Sequence, residues 1–119
     1  MKYRSGRLGE EIRKTVSEML LHELKDPRLS GMVSVSAVDV TRDLSYATVY
    51  MMVLGENITD EATPERKAEV LSALESAKGL IRHRIAQDIQ LRRAPELIFK
   101  IDETMEYARH MDAVLDSLK

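Results

Sequence analysis

Leu8, Ile12, Val16, Met19, Leu20 and Leu24 recur at steps of three and four residues. That period predicts a first amphipathic helix with its charged residues turned outward. The helix should end before Asp26-Pro27, because proline cannot continue the hydrogen-bond ladder and pushes Asp26 out of the helical region. Asp26-Pro27-Arg28-Leu29-Ser30-Gly31 therefore reads as an ordered turn. From Val33 to Val40 the pattern changes to alternation and β-branching. Val33, Val35 and Ala37 fall on one face before the phase slips at Val38 and Val40, which predicts a strand carrying a bulge or twist. Thr41-Arg42-Asp43-Leu44-Ser45 has hairpin length, and Tyr46 to Leu54 forms the antiparallel partner strand.

Residues 55–62 are acidic and aperiodic, and Thr63-Pro64 then offers an N-cap followed by proline at the first helical position. Val70, Leu71, Leu74, Ala77, Ile81, Ile85 and Ile89 keep helical spacing across Gly79. Glycine inside a helix costs about 1 kcal/mol relative to alanine, so two helices meeting at a kink are expected there. Leu97, Phe99 and Ile101 alternate behind the Ala94-Pro95 stop, predicting a third strand. Thr104 is expected to cap a final helix whose stripe would be Met105, Ala108, Met111, Val114, Leu115 and Leu118.

A chain of 119 residues with 44% hydrophobic and 32% charged residues has the size and composition of a single soluble domain, spanning residues 1–119. It holds no cysteine, which excludes disulfides, thiolate catalysis and cysteine-ligated zinc and suits a reducing compartment. The charged N-terminus lacks a signal-peptide core, and no apolar run approaches bilayer length; a cytoplasmic protein without membrane contact is expected. His22, His83 and His110 lack metal-ligand spacing, and no nucleophile elbow, Walker loop or paired-carboxylate pattern occurs. No catalytic residue, metal or cofactor is expected.

The net charge of −2 argues mildly against a nucleic-acid partner, yet its distribution matters more. Lys78, Arg82, Arg84, Arg92, Arg93 and Lys100 face only Asp88 and Glu96 between positions 78 and 100, which predicts one basic face. A helix broken at Ala77-Lys78-Gly79 would present free N–H groups and a positive dipole end to phosphate, with Lys78 and Arg82 beside it and Arg84, Arg92 and Arg93 extending the patch. Arg4, Arg7 and Arg28 are further candidates. For Arg28 the structural alternative is a pair with a nearby carboxylate, with Asp26 capping the turn. Asp39, Arg42 and Asp43 read as turn chemistry.

The order helix, strand, strand, helix, kink, helix, strand matches a type II KH-like α+β fold, with helices on one face of a three-stranded sheet. The GXXG loop that clamps single strands in KH domains is replaced by Ser76-Ala77-Lys78-Gly79. The chain resembles the ribosome-binding factor A family along almost its whole length. The resemblance is carried by Asp26-Pro27-Arg28-Leu29, by Val38-Asp39-Val40-Thr41-Arg42-Asp43-Leu44-Ser45 with Ala47-Thr48-Val49-Tyr50, by Ala77-Lys78-Gly79-Leu80-Ile81-Arg82, and by Leu91-Arg92-Arg93-Ala94-Pro95-Glu96-Leu97-Ile98-Phe99.

That resemblance implies a kink motif at Ala77 and Gly79 in place of GXXG. It also implies a monomeric assembly factor that binds the immature 30S small ribosomal subunit, assists late 16S rRNA processing and supports growth in the cold. Its release would involve a ribosome-associated GTPase. Some members carry a long polar C-terminal tail that the resemblance does not extend to, so no function resting on that tail is expected. The rival expectation is a protein-interaction domain that pairs through its sheet edge or acidic loop.

Overall fold

The computed structural model describes residues 5–31, 33–55 and 62–103. The expected C-terminal helix and most of the acidic loop lie outside these residues. The described elements are α1 (Ser5–His22), a 3₁₀ turn (Pro27–Leu29), β1 (Val33–Val40), β2 (Tyr46–Val53), α2 (Pro64–Ile89) and β3 (Glu96–Ile101). The sheet order is β1-β2-β3, with β1 antiparallel and β3 parallel to β2. This is the type II KH-like arrangement. Its parallel pair needs a long crossover, which α2 supplies.

Leu8, Ile12, Val16 and Met19 are fully buried, so the three-and-four spacing of α1 becomes one stripe on the sheet. The helix closes when the amides of Glu23 and Leu24 both donate to the Met19 carbonyl, at 2.8 and 2.7 Å. The side chain of Asp26 then caps the 3₁₀ turn by accepting from the Arg28 amide.

The phase slip in β1 is a bulge: the register with β2 shifts between Val35 and Ala37. Beyond it, Val38 and Val40 return to the core side, whereas Ala37 is exposed rather than sharing the face of Val33 and Val35. In the central strand β2, Ala47, Val49, Met51 and Val53 are buried, and Thr48, Tyr50 and Met52 line the opposite face half-buried. Strand β3 adds Leu97 and Phe99 to the core and leaves Ile98 and Lys100 exposed.

Helix α2 begins as its sequence indicates: Thr63 Oγ1 accepts from the Arg66 amide at 3.1 Å and Pro64 follows at the first position. Its buried stripe is Val70, Ala73, Leu74, Ile81, Ile85 and Ile89. The break expected at Gly79 is absent, because α2 is one helix from Pro64 to Ile89. A local cost of about 1 kcal/mol for glycine is outweighed by burying large apolar residues on both sides of it, each contributing about 1.5–3 kcal/mol. The helix ends at Gln90, whose left-handed backbone (φ 57°) closes the last turn through the bond from the Leu91 amide to the Ala86 carbonyl.

Candidate nucleic-acid interface

Two loops meet at the end of the sheet where β2 and β3 begin. In the first, Asp43 Oδ1 accepts from Thr41 Oγ1 at 2.8 Å and from the Ser45 amide at 3.1 Å, so one carboxylate folds the hairpin turn. These bonds, led by that from Thr41, hold the Asp43 carboxyl below its ordinary pKa. Leu44 takes a left-handed conformation (φ 63°), uncommon without glycine, steadied by its amide's bond to the Thr41 carbonyl. The Ser45 carbonyl then accepts from the Glu96 amide at 2.9 Å and anchors the start of β3.

The second loop, residues 91–95, is braced from α2. Arg82 donates through Nε to the Pro95 carbonyl at 3.2 Å and through Nη2 to the Ala94 carbonyl at 3.1 Å, with Glu96 Oε1 3.8 Å from Nη1. Between the loops lies a cleft of about 500 Å³, lined in part by Leu44, Tyr46, Arg82, Arg92, Arg93 and Glu96. Arg92 and Arg93 are exposed, and neither makes an ion pair or side-chain hydrogen bond among the described residues. Tyr46 stands 52% exposed at the start of β2, on the lining of this cleft.

The remaining cations of the expected basic face are engaged elsewhere. Lys78 pairs with Glu75 at 2.8 Å and sits 5.9 Å from the centre of the Phe99 ring. Arg84 pairs with Glu23, just past the end of α1, and with Asp88 at 3.3 Å, tying α2 to the turn that follows α1. Arg28 is held by Asp26 at 2.6 Å and donates to Ser72 Oγ at 3.2 Å, which is its structural reading; the pairing also lowers the pKa of Asp26. Arg7 begins α1 and has a partner of its own. Arg4 lies outside the described residues. The fold thus gathers Arg82, Arg92 and Arg93, and uses Arg28, Lys78 and Arg84 largely for internal contacts.

Ala77 is half-buried against the core, and Gly79 is exposed on α2 with no atom within 4 Å of where its β-carbon would stand. Gly79 therefore neither breaks the helix nor makes room for a neighbour among the described residues. With α2 continuous, no free amides face Lys78 and Arg82 at this point, and the dipole argument for phosphate binding there falls away.

The roles of Arg66 and Tyr46 are not legible in the sequence pattern. Arg66 spans from α2 to the turn, donating to the carbonyls of Arg28, at 2.5 Å, and Ser30. Gly31 (φ +91°) shapes the same turn. The pattern marks Tyr46 as a strand residue, and its exposure beside the cleft shows only in the fold. Among the described residues no helix is long and apolar enough to cross a membrane, and no group of His, Asp and Glu could hold a metal.

Comparison with known proteins extends this picture. The family model for ribosome-binding factor A matches residues 4–115. A relative from Clostridium tetani called ribosome-binding factor A is 43% identical over 118 residues, covering 99% of this chain and 92% of that one. The crystal structure of ribosome-binding factor A from Thermus thermophilus superposes with a TM-score of 0.64 at 26% identity, covering 83% of this chain and 97% of that one. A homology model of the Thermus thermophilus protein, fitted into the cryo-EM map of a complex with the 30S subunit, gives a TM-score of 0.61 at 26% identity, covering 82% of this chain and 94% of that one.

Proposed function

Because the chain belongs to the ribosome-binding factor A family, we propose that it binds the small ribosomal subunit through the cleft at the hairpin end of its sheet, touching ribosomal RNA. The observation that carries this reading is the pair of exposed arginines, Arg92 and Arg93, without partners among the described residues, on a loop that Arg82 braces. Guanidinium forks match phosphate oxygens, and side chains without internal partners give up no contacts when they bind. Arg82 acts mainly by holding the loop. The bare surface of α2 at Gly79 lets an RNA backbone approach the helix closely.

The protein is read as a noncatalytic, monomeric assembly factor of the cytoplasm. It holds an immature form of the subunit during late 16S rRNA processing, supports growth in the cold and leaves with the help of a ribosome-associated GTPase. The fitted complex of the Thermus relative with the 30S subunit supports the choice of partner.

Fractionation of the tagged protein over a ribosome profile tests this function. It should travel with free small subunits and be missing from translating ribosomes. Association should also weaken steeply between low and physiological salt, since each displaced phosphate counterion adds to the slope. A protein spread evenly over all ribosomal particles, or binding that ignores salt, would count against the proposal.

A further inference from the structure

The cleft has a feature that phosphate contact alone leaves unused: an exposed tyrosine beside its cations. Tyr46 is the first residue of β2, paired in register with Glu96 of β3, and it shares the sheet face away from the core with Thr48, Tyr50 and Met52. Half of its surface is free. The lining carries Arg82, Arg92 and Arg93 against the carboxylates of Asp43 and Glu96. Arg82 is spent on the Ala94 and Pro95 carbonyls and lies near Glu96. With three cations against two carboxylates the lining carries a net charge of about +1, so a second kind of contact would add to any hold on phosphate.

We propose that this cleft seats an unpaired nucleotide of RNA, its base stacked on Tyr46 and its phosphate held by Arg92 and Arg93. The inference rests on the proposed binding to ribosomal RNA and narrows the ligand to a single-stranded or bulged segment. A base held in a duplex is stacked on both faces and cannot reach an aromatic ring in a cleft. An unpaired base can, and stacking on tyrosine accepts any base. Both loops are set before the ligand arrives, through Asp43 on one side and Arg82 on the other. Little ordering is then lost on binding.

The test titrates isotopically labelled full-length protein with an adenine RNA hexanucleotide, a blunt RNA duplex and inorganic phosphate. Amide and arginine side-chain resonances are followed by NMR, and cosedimentation of the wild type with small subunits is scored in parallel. The hexanucleotide should move Ser45, Tyr46, Arg92 and Arg93, and phosphate at equal concentration should leave Tyr46 in place. Tyr46→Ala should weaken hexanucleotide binding about tenfold, whereas Tyr46→Phe should retain it. Arg92→Ala with Arg93→Ala should weaken binding and lower its salt slope by about two. All three positions are exposed, and unchanged melting of each variant confirms folding.

The inference is overturned if Tyr46→Ala binds the hexanucleotide as the wild type does, or if the duplex moves the same resonances as strongly. Retained cosedimentation in that event leaves the proposed function standing. Lost cosedimentation of the wild type would remove the function itself.

Discussion

A β-carbon placed on Gly9 would stand 2.7 Å from the carbonyl oxygen of Val38, so α1 rests directly on the backbone of β1. Val38 follows the bulge that returns β1 to the core side. The helix and the bulged strand thus depend on a residue without a side chain. Gly9→Ala must push backbone from backbone. Helix propensity favours alanine by about 1 kcal/mol, yet overpacking a close contact costs about 1–3 kcal/mol. A net fall in stability and melting temperature is expected in denaturant and thermal unfolding.

Gly79 gives the opposite expectation, because the space around its missing β-carbon is open and the helix runs through it. Gly79→Ala should stabilise the domain by about 0.5–1 kcal/mol. If RNA approaches α2 closely there, the same variant should bind small subunits more weakly. Paired melting and cosedimentation measurements read both effects.

This contrast marks where the sequence was legible. The Thr63 cap with Pro64 and the hairpin turn around Asp43 are local signals between near neighbours, and the structure keeps them. Gly79 misled because a local propensity was weighed without the buried residues on either side of it. Gly9, Arg66 and Tyr46 owe their roles to contacts or openings made by distant parts of the chain. No spacing rule along the sequence encodes those. The same limit applies to part of the basic face: Arg84 is engaged by Glu23, far away along the chain, whereas Glu75 beside Lys78 and Asp26 beside Arg28 are near neighbours.

The Asp26 carboxyl titrates below its ordinary value of 3.8, chiefly through its side-chain bond to Arg28 and then through the Arg28 amide. A carboxyl with a lowered folded pKa contributes stability fully above the unfolded value and loses it as pH falls through the folded one. Asp26→Asn should therefore melt below the wild type at neutral pH. The gap should narrow as the pH drops beneath about 3.8. Melting curves of both proteins across that range check the sign.

Arg82 and the pair Arg92 and Arg93 differ in role despite lining one cleft. Arg82→Ala removes two donors from the carbonyls of Ala94 and Pro95, so it should raise amide hydrogen exchange in residues 91–96 and lower stability by about 1–3 kcal/mol. Alanine at Arg92 or Arg93 should change stability by no more than about 0.5 kcal/mol.

Charge reversal at Arg92 and Arg93, exposed and without partners among the described residues, tests the docking surface most directly. Arg92→Glu with Arg93→Glu is compared with Lys14→Glu with Lys25→Glu, which makes the same change in net charge at exposed lysines away from the cleft. Cosedimentation with small subunits at physiological salt should be lost for the arginine variant and largely kept for the lysine variant, with both melting near the wild type. Undiminished cosedimentation of the arginine variant, or equal loss from both, would contradict the cleft as the docking surface.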